Sequence, residues 1–202
     1  MSVTGAVGLT ARHFYGIPFQ VRQVLLAGGV IAYPTEGVYG IGCDARIQQA
    51  IKRVVRIKAR ADDKGLILIA SDAQQLAPWI ACPRDLDARQ HLLSAIAEHP
   101  DGRATTWVVP ASERCSPLLT GNRATIAVRV TRHADAANLC RAVDGALIST
   151  SANISGRNAI TQPARLRRQF GKHVDAVLAR AGGGQRRPSR VIDYASGNVL
   201  RD

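Results

Sequence analysis

The sequence predicts an α/β fold, in which a sheet is covered by helices within a single domain. Short apolar runs typical of strands alternate with segments of helical periodicity over most of the chain. The length of 202 residues suits one domain. Hydrophobic residues make up 46% of the chain, which is enough to form a buried core.

The first half of the chain contains the clearest elements. Apolar residues recur at helical spacing within 18–26, and two glycines supply the stop. An apolar run over 30–33 predicts a buried strand, which Pro34 ends because proline has no N–H to donate. A second helix is predicted over 46–57, since its apolar residues fall on one face.

The later elements follow the same two patterns. Predicted strands span 66–70, 104–109, 124–130 and 146–149. Predicted helices span 72–80, 85–98, 134–143 and 163–170. The segments 191–194 and 199–200 predict a closing hairpin across a turn at 196–198.

The net charge of +12 comes from 27 Lys and Arg against 15 Asp and Glu. Arg dominates, and its guanidinium suits bidentate contacts to phosphate and carboxylate. We therefore expect polyanionic partners, either nucleic acid or nucleotides. The Arg content could instead reflect genome composition, since Ala is also abundant. Aromatic residues are only 4%, which does not support base stacking on exposed rings.

The four cysteines, at 43, 82, 115 and 140, have no metal-ligand spacing and indicate free thiols in a reducing cytosol. The first residues lack a basic n-region, so we expect no signal peptide, and no apolar run is long enough for a membrane span. We expect a cytoplasmic protein with no membrane contact, a flexible lead-in over 1–15 and one domain over 16–202. The histidines show no metal spacing, and no Walker loop, serine nucleophile elbow or dinucleotide-binding glycine pattern occurs.

Polar side chains follow several of the predicted strands. Thr35 and Glu36 lie on the turn after 30–33, where α/β proteins bind ligands. Ser149, Ser151 and Asn153 would share one face of extended chain and could cradle phosphate or carboxylate oxygens. The alternatives are an ordinary strand–turn connection at 35–36 and a polar turn rich in Ser and Asn at 149–153.

Basic residues form the other candidate groups. Lys58 and Arg60 lie at the exit of the second helix, with Lys64 four residues further on, and could converge on one anion. A solvated basic helix end is the alternative, since the helix dipole favours it. Arg129 would be the single charge on a face of small residues, either as the floor of a polar groove or on the solvent side of an edge strand. The glycine-rich stretch 182–188, followed by Ser189 and Arg190, could be a flap over an anion or a solvated loop.

Taken together, these segments resemble the YrdC-type threonylcarbamoyl-AMP synthases, in the short, single-domain bacterial form. The resemblance covers nearly the whole chain in order. The segments that carry it are 33–44, Lys58-x-Arg60, 64–69, 119–121, 127–131, 149–156 and 188–189. It implies a twisted mixed sheet flanked by helices, with a basic concave face.

The resemblance also implies an activity. The family makes L-threonylcarbamoyl-AMP and pyrophosphate from L-threonine, bicarbonate and ATP, for the threonylcarbamoyl modification of adenosine in tRNA. In such chemistry a carbamate oxygen attacks the α-phosphorus of ATP, which requires positioning and charge neutralisation rather than an acid–base pair. Mg²⁺ would be carried by the triphosphate, since no clustered carboxylates appear. The implied partners are the proteins that transfer the group to tRNA, and tRNA or another structured RNA.

Roles for individual residues follow from the resemblance. The catalytic pair would be Lys58 and Arg60, which with Lys64 would hold the triphosphate and stabilise departing pyrophosphate. The nucleotide and carbamate oxygens would contact Ser149, Ser151 and Asn153, and the phosphate would also contact Arg190. The residues that would bind threonine are Thr35, Arg129 and Ser189, with Arg129 on its carboxylate.

The chain departs from the family pattern at 100–106, at 132–134 and at Gly37. These changes affect local loops, or they mark a diverged paralogue. A non-catalytic RNA-binding module on the same basic face is the main alternative function, because the charge alone would favour it. Carbamoyl-adenylate chemistry on another acceptor, as in hydrogenase-maturation proteins, is a third, although those proteins have several domains.

Overall fold

Strands and helices alternate in the computed structural model, which describes residues 13–14, 16–59, 64–153, 159–182, 184 and 188–202. The strands are β1 (His13–Phe14), β2 (Ile17–Pro18), β3 (Ile31–Pro34), β4 (Tyr39–Gly42), β5 (Ile67–Ala70), β6 (Thr105–Pro110), β7 (Thr125–Val130), β8 (Leu147–Ser151), β9 (Ala176–Val177), β10 (Arg190–Asp193) and β11 (Val199–Arg201). The helices are α1 (Phe19–Leu26), α2 (Gln48–Lys58), α3 (Leu86–Ala97), α4 (Pro117–Thr120), α5 (Ala134–Val143) and α6 (Pro163–Phe170).

Most of the described strands join one twisted mixed sheet, in the order β11-β10-β6-β7-β5-β8-β4-β3-β9. The pairs β5–β7, β6–β10 and β3–β9 are parallel, and the other neighbours are antiparallel. Strands β1 and β2 form a separate antiparallel pair. The α/β fold predicted from the sequence is confirmed, as a mixed sheet flanked by helices.

The two faces of this sheet are covered to different extents. Helices α2, α3 and α6 pack on one face, where their apolar residues form a cluster with Ile41, Leu68 and Val128. On the opposite face, α1 and α5 pack against strand residues that include Ile69 and Leu147. Because side chains alternate along a strand, the residues in register with Ile67 and Ile69 share that second face. The part of it beyond α1 and α5 holds the cavity described below.

Local chemistry explains where α3 begins and where α2 ends. Asp85 caps α3 by accepting a hydrogen bond at 2.8 Å from the N–H of Ala88. Helix α2 ends because Ala59 adopts a left-handed conformation with φ of 44°. Lys58 is therefore the last helical residue, and its side chain turns inward and is buried.

The helix predicted over 72–80 is wrong, because only Ala77–Trp79 is helical there, as a 3-10 turn. Side chains compete with the helix for backbone donors in this segment. Asp72 accepts from the N–H of Gln75 at 3.1 Å, and the Gln75 side chain accepts from the N–H of Ser71 at 3.0 Å. Segment 72–76 is consequently a turn.

The sequence pattern does not predict strand β4, because glycines at 40 and 42 lower strand propensity. The structure shows why glycine occupies position 42. A Cβ there would lie 1.7 Å from the carbonyl oxygen of Ile148, so β4 can lie against β8 at this point only without a side chain.

The cysteines, the membrane-span expectation and the N-terminal lead-in can also be compared with the structure. The four cysteines are free thiols, and burial raises the pKa of Cys43 to about 12. No helix among the described residues has both the length and the apolar character needed to cross a bilayer. The lead-in over 1–15 falls outside the described residues except for the pair at 13–14 in β1, so it stays a prediction.

Candidate active site

A cavity of about 350 Å³ opens on the half-covered face of the sheet, a volume in the range of small-molecule sites. Residues from the β3–β4 turn, β5, β7, β8 and the chain leading into β10 form its walls. Polar side chains in the lining include Thr35, Glu36, Arg129, Ser149, Ser151, Asn153, Ser189 and Arg201. The structure thus brings together six of the residues that the sequence analysis selected, from four separate parts of the chain.

The β3–β4 turn supplies the first wall. Thr35 Oγ1 donates a hydrogen bond at 2.6 Å to the carbonyl of Val38, which closes the turn and buries the threonine. Gly40 allows close approach here, since a Cβ at this position would lie 3.1 Å from Ser149 Oγ and 3.3 Å from Thr35 Cγ2. Thr35 and Ser149 therefore face each other across a glycine.

Strand β8 and the residues after it supply the second wall. Ser149 is buried, while Ser151 is exposed and donates to Asn153 Oδ1 at 2.7 Å. All three side chains line the cavity, as expected if they share one face of the chain. Their hydroxyl and amide groups can donate to the oxygens of a phosphate or carboxylate.

Lys58 lies beside this wall and does not line the cavity. Its ammonium donates to the main-chain oxygens of Ser151 and Asn153, and to Asn153 Oδ1 at 2.6 Å. An ammonium has three protons, so these three oxygens can accept all of them. The geometry makes Lys58 an anchor for Ser151–Asn153, and its contact with a triphosphate stays a prediction.

Arg129 forms the floor of the cavity. It is buried on β7, an inner strand of the sheet, so the solvent side of an edge strand is excluded. Its Nη2 lies 3.5 Å from Oε2 of Glu36, which is buried as well. Burial alone would raise the pKa of Glu36, but the Arg129 charge and hydrogen bonds from Thr131 and the Arg132 N–H lower it to about 2.

The chain entering β10 supplies the wall opposite the β3–β4 turn. Ser189 is buried, and its Oγ lies 2.8 Å from Thr106 Oγ1. Arg201 of β11 donates to the Ser189 carbonyl from Nη2 at 2.8 Å and from Nε at 3.2 Å. These contacts hold the Arg201 guanidinium against the cavity lining.

Besides Lys58, two of the selected residues are not in this lining, and a third is not among the described residues. Arg190 is ion-paired with Asp202 at 3.0 Å and with Asp101 at 3.3 Å. Lys64 lines a smaller neighbouring cavity, which shares Leu66 and Ile67 with the first. Arg60 lies outside the described residues. Their roles at the nucleotide stay predictions.

The sequence analysis did not select Arg201. The predicted hairpin stops at residue 200, and no local pattern shows that β11 would return an arginine to a distant cavity. The pairing of Glu36 with Arg129 could have been anticipated. Glu36 is on the same turn as Thr35, and a buried arginine needs a counter-charge.

The site can bind and orient an anionic ligand. Among the described lining residues, hydroxyls and two guanidiniums face the cavity, and the one carboxylate is already paired. No group of three or more His, Cys, Asp or Glu residues suited to a metal occurs within the part of the chain that the structure describes. This donor set suits neutralisation and positioning of charged oxygens.

Comparison with known proteins gives consistent matches. The Sua5/YciO/YrdC family model, described as "Telomere recombination", matches residues 23–202. A protein named threonylcarbamoyl-AMP synthase from Thiobacillus denitrificans is 47% identical over 201 residues, which cover 95% of this chain and 98% of that protein. One of the same name from Halorhodospira halophila is 44% identical over 187 residues, 91% of this chain and 95% of that protein.

Solved structures agree with the sequence matches. The P. abyssi Sua5 complex with L-threonine superposes with a TM-score of 0.74 at 28% identity, covering 90% of this chain and 52% of that one. E. coli YciO superposes with a TM-score of 0.75 at 25% identity, covering 91% of this chain and 87% of that one. Full-length HypF shares the fold, with a TM-score of 0.72 at 16% identity over 27% of its chain.

Proposed function

The chain belongs to the Sua5/YciO/YrdC family, and from this premise we propose that it is a threonylcarbamoyl-AMP synthase. In this reaction L-threonine, bicarbonate and ATP give L-threonylcarbamoyladenylate and pyrophosphate. Relatives that carry this name match nearly the full length of the chain. The L-threonine in the P. abyssi Sua5 structure supports threonine as the amino-acid substrate.

The observation that carries the proposal is the cavity between Arg129 and Ser151. Arg129 is a buried cation on its floor, and hydroxyls surround it from Thr35, Ser149 and Ser189. We assign the threonine carboxylate to Arg129, and the threonine contacts to Thr35 and Ser189. A buried guanidinium binds a carboxylate strongly because little water competes for it.

The nucleotide would lie against β8. We assign Ser149, Ser151 and Asn153 to nucleotide and carbamate oxygens, with Arg201 as a further cation at the same cavity. Arg60 and Lys64 remain the proposed triphosphate contacts, whereas Arg190 would reach the phosphate only on release from Asp202 and Asp101. Mg²⁺ would enter with the triphosphate, because Glu36, the carboxylate in the described lining, is engaged with Arg129.

The chemistry then needs positioning more than proton transfer. The amine of threonine combines with bicarbonate, with loss of water, to give a carbamate. A carbamate oxygen attacks the α-phosphorus of ATP, and the bond to the β,γ-phosphates breaks as pyrophosphate departs with its electron pair. Cations near the leaving group and donors around the carbamate lower the barrier by holding these charges.

Pyrophosphate release tests the proposal directly. We expect release from ATP that requires both L-threonine and bicarbonate, and that disappears in Arg129→Gln. Arg114→Gln, on the exposed surface, is the matched control and should retain full activity. Release that proceeds without threonine, or ATP binding with no release under any condition, would contradict the proposal.

A second proposal concerns the partners. The product is a reactive mixed anhydride, so we propose that it passes to proteins that transfer threonylcarbamoyl to tRNA. A positively charged surface on α2 and α6 favours tRNA or another structured RNA as a direct partner. Its exposed members are Lys52, Arg56, Arg165, Arg167, Arg168 and Lys172.

Both helices pack on one core cluster, and Arg53 of α2 pairs with Asp175 after α6 at 2.8 Å, so these cations lie on the same side of the sheet. None of the six cations forms an ion pair with a described residue. Phosphate backbones bind such surfaces in a strongly salt-dependent way.

Charge reversal tests the RNA proposal separately from catalysis. Arg165→Glu with Arg168→Glu should weaken tRNA binding and reduce its salt dependence, while pyrophosphate release stays unchanged. Arg84→Glu with Arg114→Glu changes the net charge equally at other exposed positions. Equal losses in both double variants would show a non-specific effect of net charge.

A further inference from the structure

Glu36 and Arg129 form the most enclosed ion pair among the described residues. Their side chains are each 8% exposed, whereas every other ion pair among the described residues has at least one partner above 36%. Both residues line the cavity. A buried ion pair contributes little to stability on average, because desolvation offsets the attraction, so its presence at this site calls for another explanation.

The path of the chain adds to this. In the strand order, β4, β8 and β5 lie between β3 and β7. Glu36 follows β3, yet it contacts residues at the end of β7. The β3–β4 turn must therefore fold back across the sheet, and Glu36 is the residue that ties it to β7.

The two carboxylate oxygens of Glu36 have different partners. Oε1 accepts from the Thr131 hydroxyl at 2.7 Å and from the Arg132 N–H at 3.0 Å. Oε2 faces Nη2 of Arg129 at 3.5 Å, beyond a normal hydrogen bond, and it accepts none from a described residue. Glu36 is thus fixed by its first oxygen and orients Arg129 by charge through its second.

Arg129 keeps unused hydrogen-bonding capacity in this arrangement. Its Nε is buried and has no hydrogen-bond partner among the described residues. An arginine that Glu36 engaged through two short hydrogen bonds would have fewer donors left for a ligand carboxylate. The observed separation restrains the guanidinium without occupying its donors.

We infer that Glu36 is a positioning residue, which holds the Arg129 guanidinium in the orientation that accepts the substrate carboxylate. The inference rests on the proposed function for the identity of that substrate. Glu36 touches no reacting atom. Its effect on threonine binding should therefore run through Arg129 alone.

A double-mutant cycle tests this dependence. Calorimetry would measure L-threonine binding to the wild type, Glu36→Gln, Arg129→Gln and the double variant. We expect Glu36→Gln to weaken threonine binding about tenfold, with little change for ATP, and to have no further effect once Arg129 is replaced. Losses that add in the double variant would overturn the inference, since Glu36 would then act independently of Arg129.

Controls separate positioning from folding. Thr131→Val removes one hydrogen bond to Glu36 but keeps its charge, so we expect a smaller loss of threonine binding, about threefold. Glu113→Gln removes an exposed carboxylate and should change nothing. A fall in melting temperature with unchanged threonine affinity in Glu36→Gln would show a purely structural role and overturn the inference.

A measurement without substrate keeps the inference separate from the proposed function. Side-chain ¹⁵N spectra of the arginines, with Arg129 assigned by Arg129→Lys, should show a restrained guanidinium that becomes mobile in Glu36→Gln. An unchanged Arg129 signal would overturn the positioning role whatever the substrate. A wild type that fails to bind threonine would contradict the proposed function alone.

Discussion

The ammonium of Lys58 lies 2.6 Å from the side-chain oxygen of Asn153, in contact with a residue that follows β8 almost a hundred positions later. Lys58 is only 3% exposed, and the main-chain oxygens of Ser151 and Asn153 accept its other protons. One buried cation thus joins the end of α2 to the segment that lines the cavity.

Replacing Lys58 with Met should weaken the binding of adenine nucleotides whatever the length of their phosphate chain. The substitution keeps the aliphatic length but removes the ammonium that links all three oxygens, so Ser151–Asn153 loses its anchor to α2. We expect affinity for AMP and for ATP to fall by a similar factor, about tenfold, as measured by calorimetry.

The comparison of AMP with ATP distinguishes two roles for Lys58. A lysine that contacts the β- or γ-phosphate would affect ATP and leave AMP binding unchanged. Lys52→Met, on the exposed side of the same helix, is the matched control and should alter neither affinity. Selective loss of ATP affinity in Lys58→Met would contradict the anchoring role.

Arg201 and Arg190 should behave differently although they lie on adjacent strands. Arg201 lines the cavity, whereas Arg190 is paired with two aspartates and does not. We expect Arg201→Gln to reduce the rate of pyrophosphate release by about tenfold or more, because a cation at the site is lost. Arg190→Gln should reduce this rate less than twofold, because it breaks only ion pairs with exposed aspartates, which contribute little.

Steady-state kinetics with ATP and threonine varied separately would check this pair of variants. A rise in KM for one substrate only would assign Arg201 to that substrate. If Arg190→Gln caused the larger loss, the segment before β10 would have to rearrange on ligand binding, and the sequence-based assignment of Arg190 would hold.

The fold was largely predictable because its elements have strong local signals. The apolar face of α2 and the buried runs of β5 and β7 follow simple periodicity, and Asp85 is a standard helix cap. Strand β4 could not be predicted from the local sequence, because its Gly42 is required by close packing against β8. The turn at 72–76 was mistaken for a helix, because the side chains of Asp72 and Gln75 accept hydrogen bonds from backbone N–H groups there.

The site was predictable only in part, for a related reason. Thr35, Ser149 and Arg129 follow or lie on predicted strands, so their placement follows from the sheet. Arg201 reaches the cavity through the pairing of β11 with β10 and β10 with β6, which no local pattern encodes. Lys58 was selected from the sequence, but its burial depends on oxygens of a distant segment that accept its hydrogen bonds, which no local pattern shows.

Substituting Gly42 with Ala should destabilise the protein strongly. The added Cβ would lie 1.7 Å from the carbonyl oxygen of Ile148, and both groups belong to paired strands that cannot move apart cheaply. We expect a loss of roughly 3 kcal/mol in the free energy of unfolding, measured by urea denaturation. Gly145→Ala should cost far less, because its Cβ would meet only the flexible end of Arg46.

His99 should make stability fall in mild acid. It is buried near β6, where its Nδ1 accepts a hydrogen bond at 3.1 Å from the N–H of Thr105. Burial, together with the nearby charge of Arg132, lowers its pKa. In the unfolded state this histidine has a pKa of about 6.5. The folded state therefore binds fewer protons than the unfolded state in mild acid, and the free energy of unfolding declines as pH drops below that value.

Replacing His99 with Asn removes this titration and keeps an acceptor near the Thr105 N–H. Urea denaturation between about pH 5 and pH 8 should give a flatter profile for His99→Asn than for the wild type, with the two curves converging toward acid. His91→Asn, at an exposed position of α3, should keep the wild-type slope. An equally steep decline in His99→Asn would mean that other groups carry the acid sensitivity, since protonation of His99 would then cost the folded state nothing.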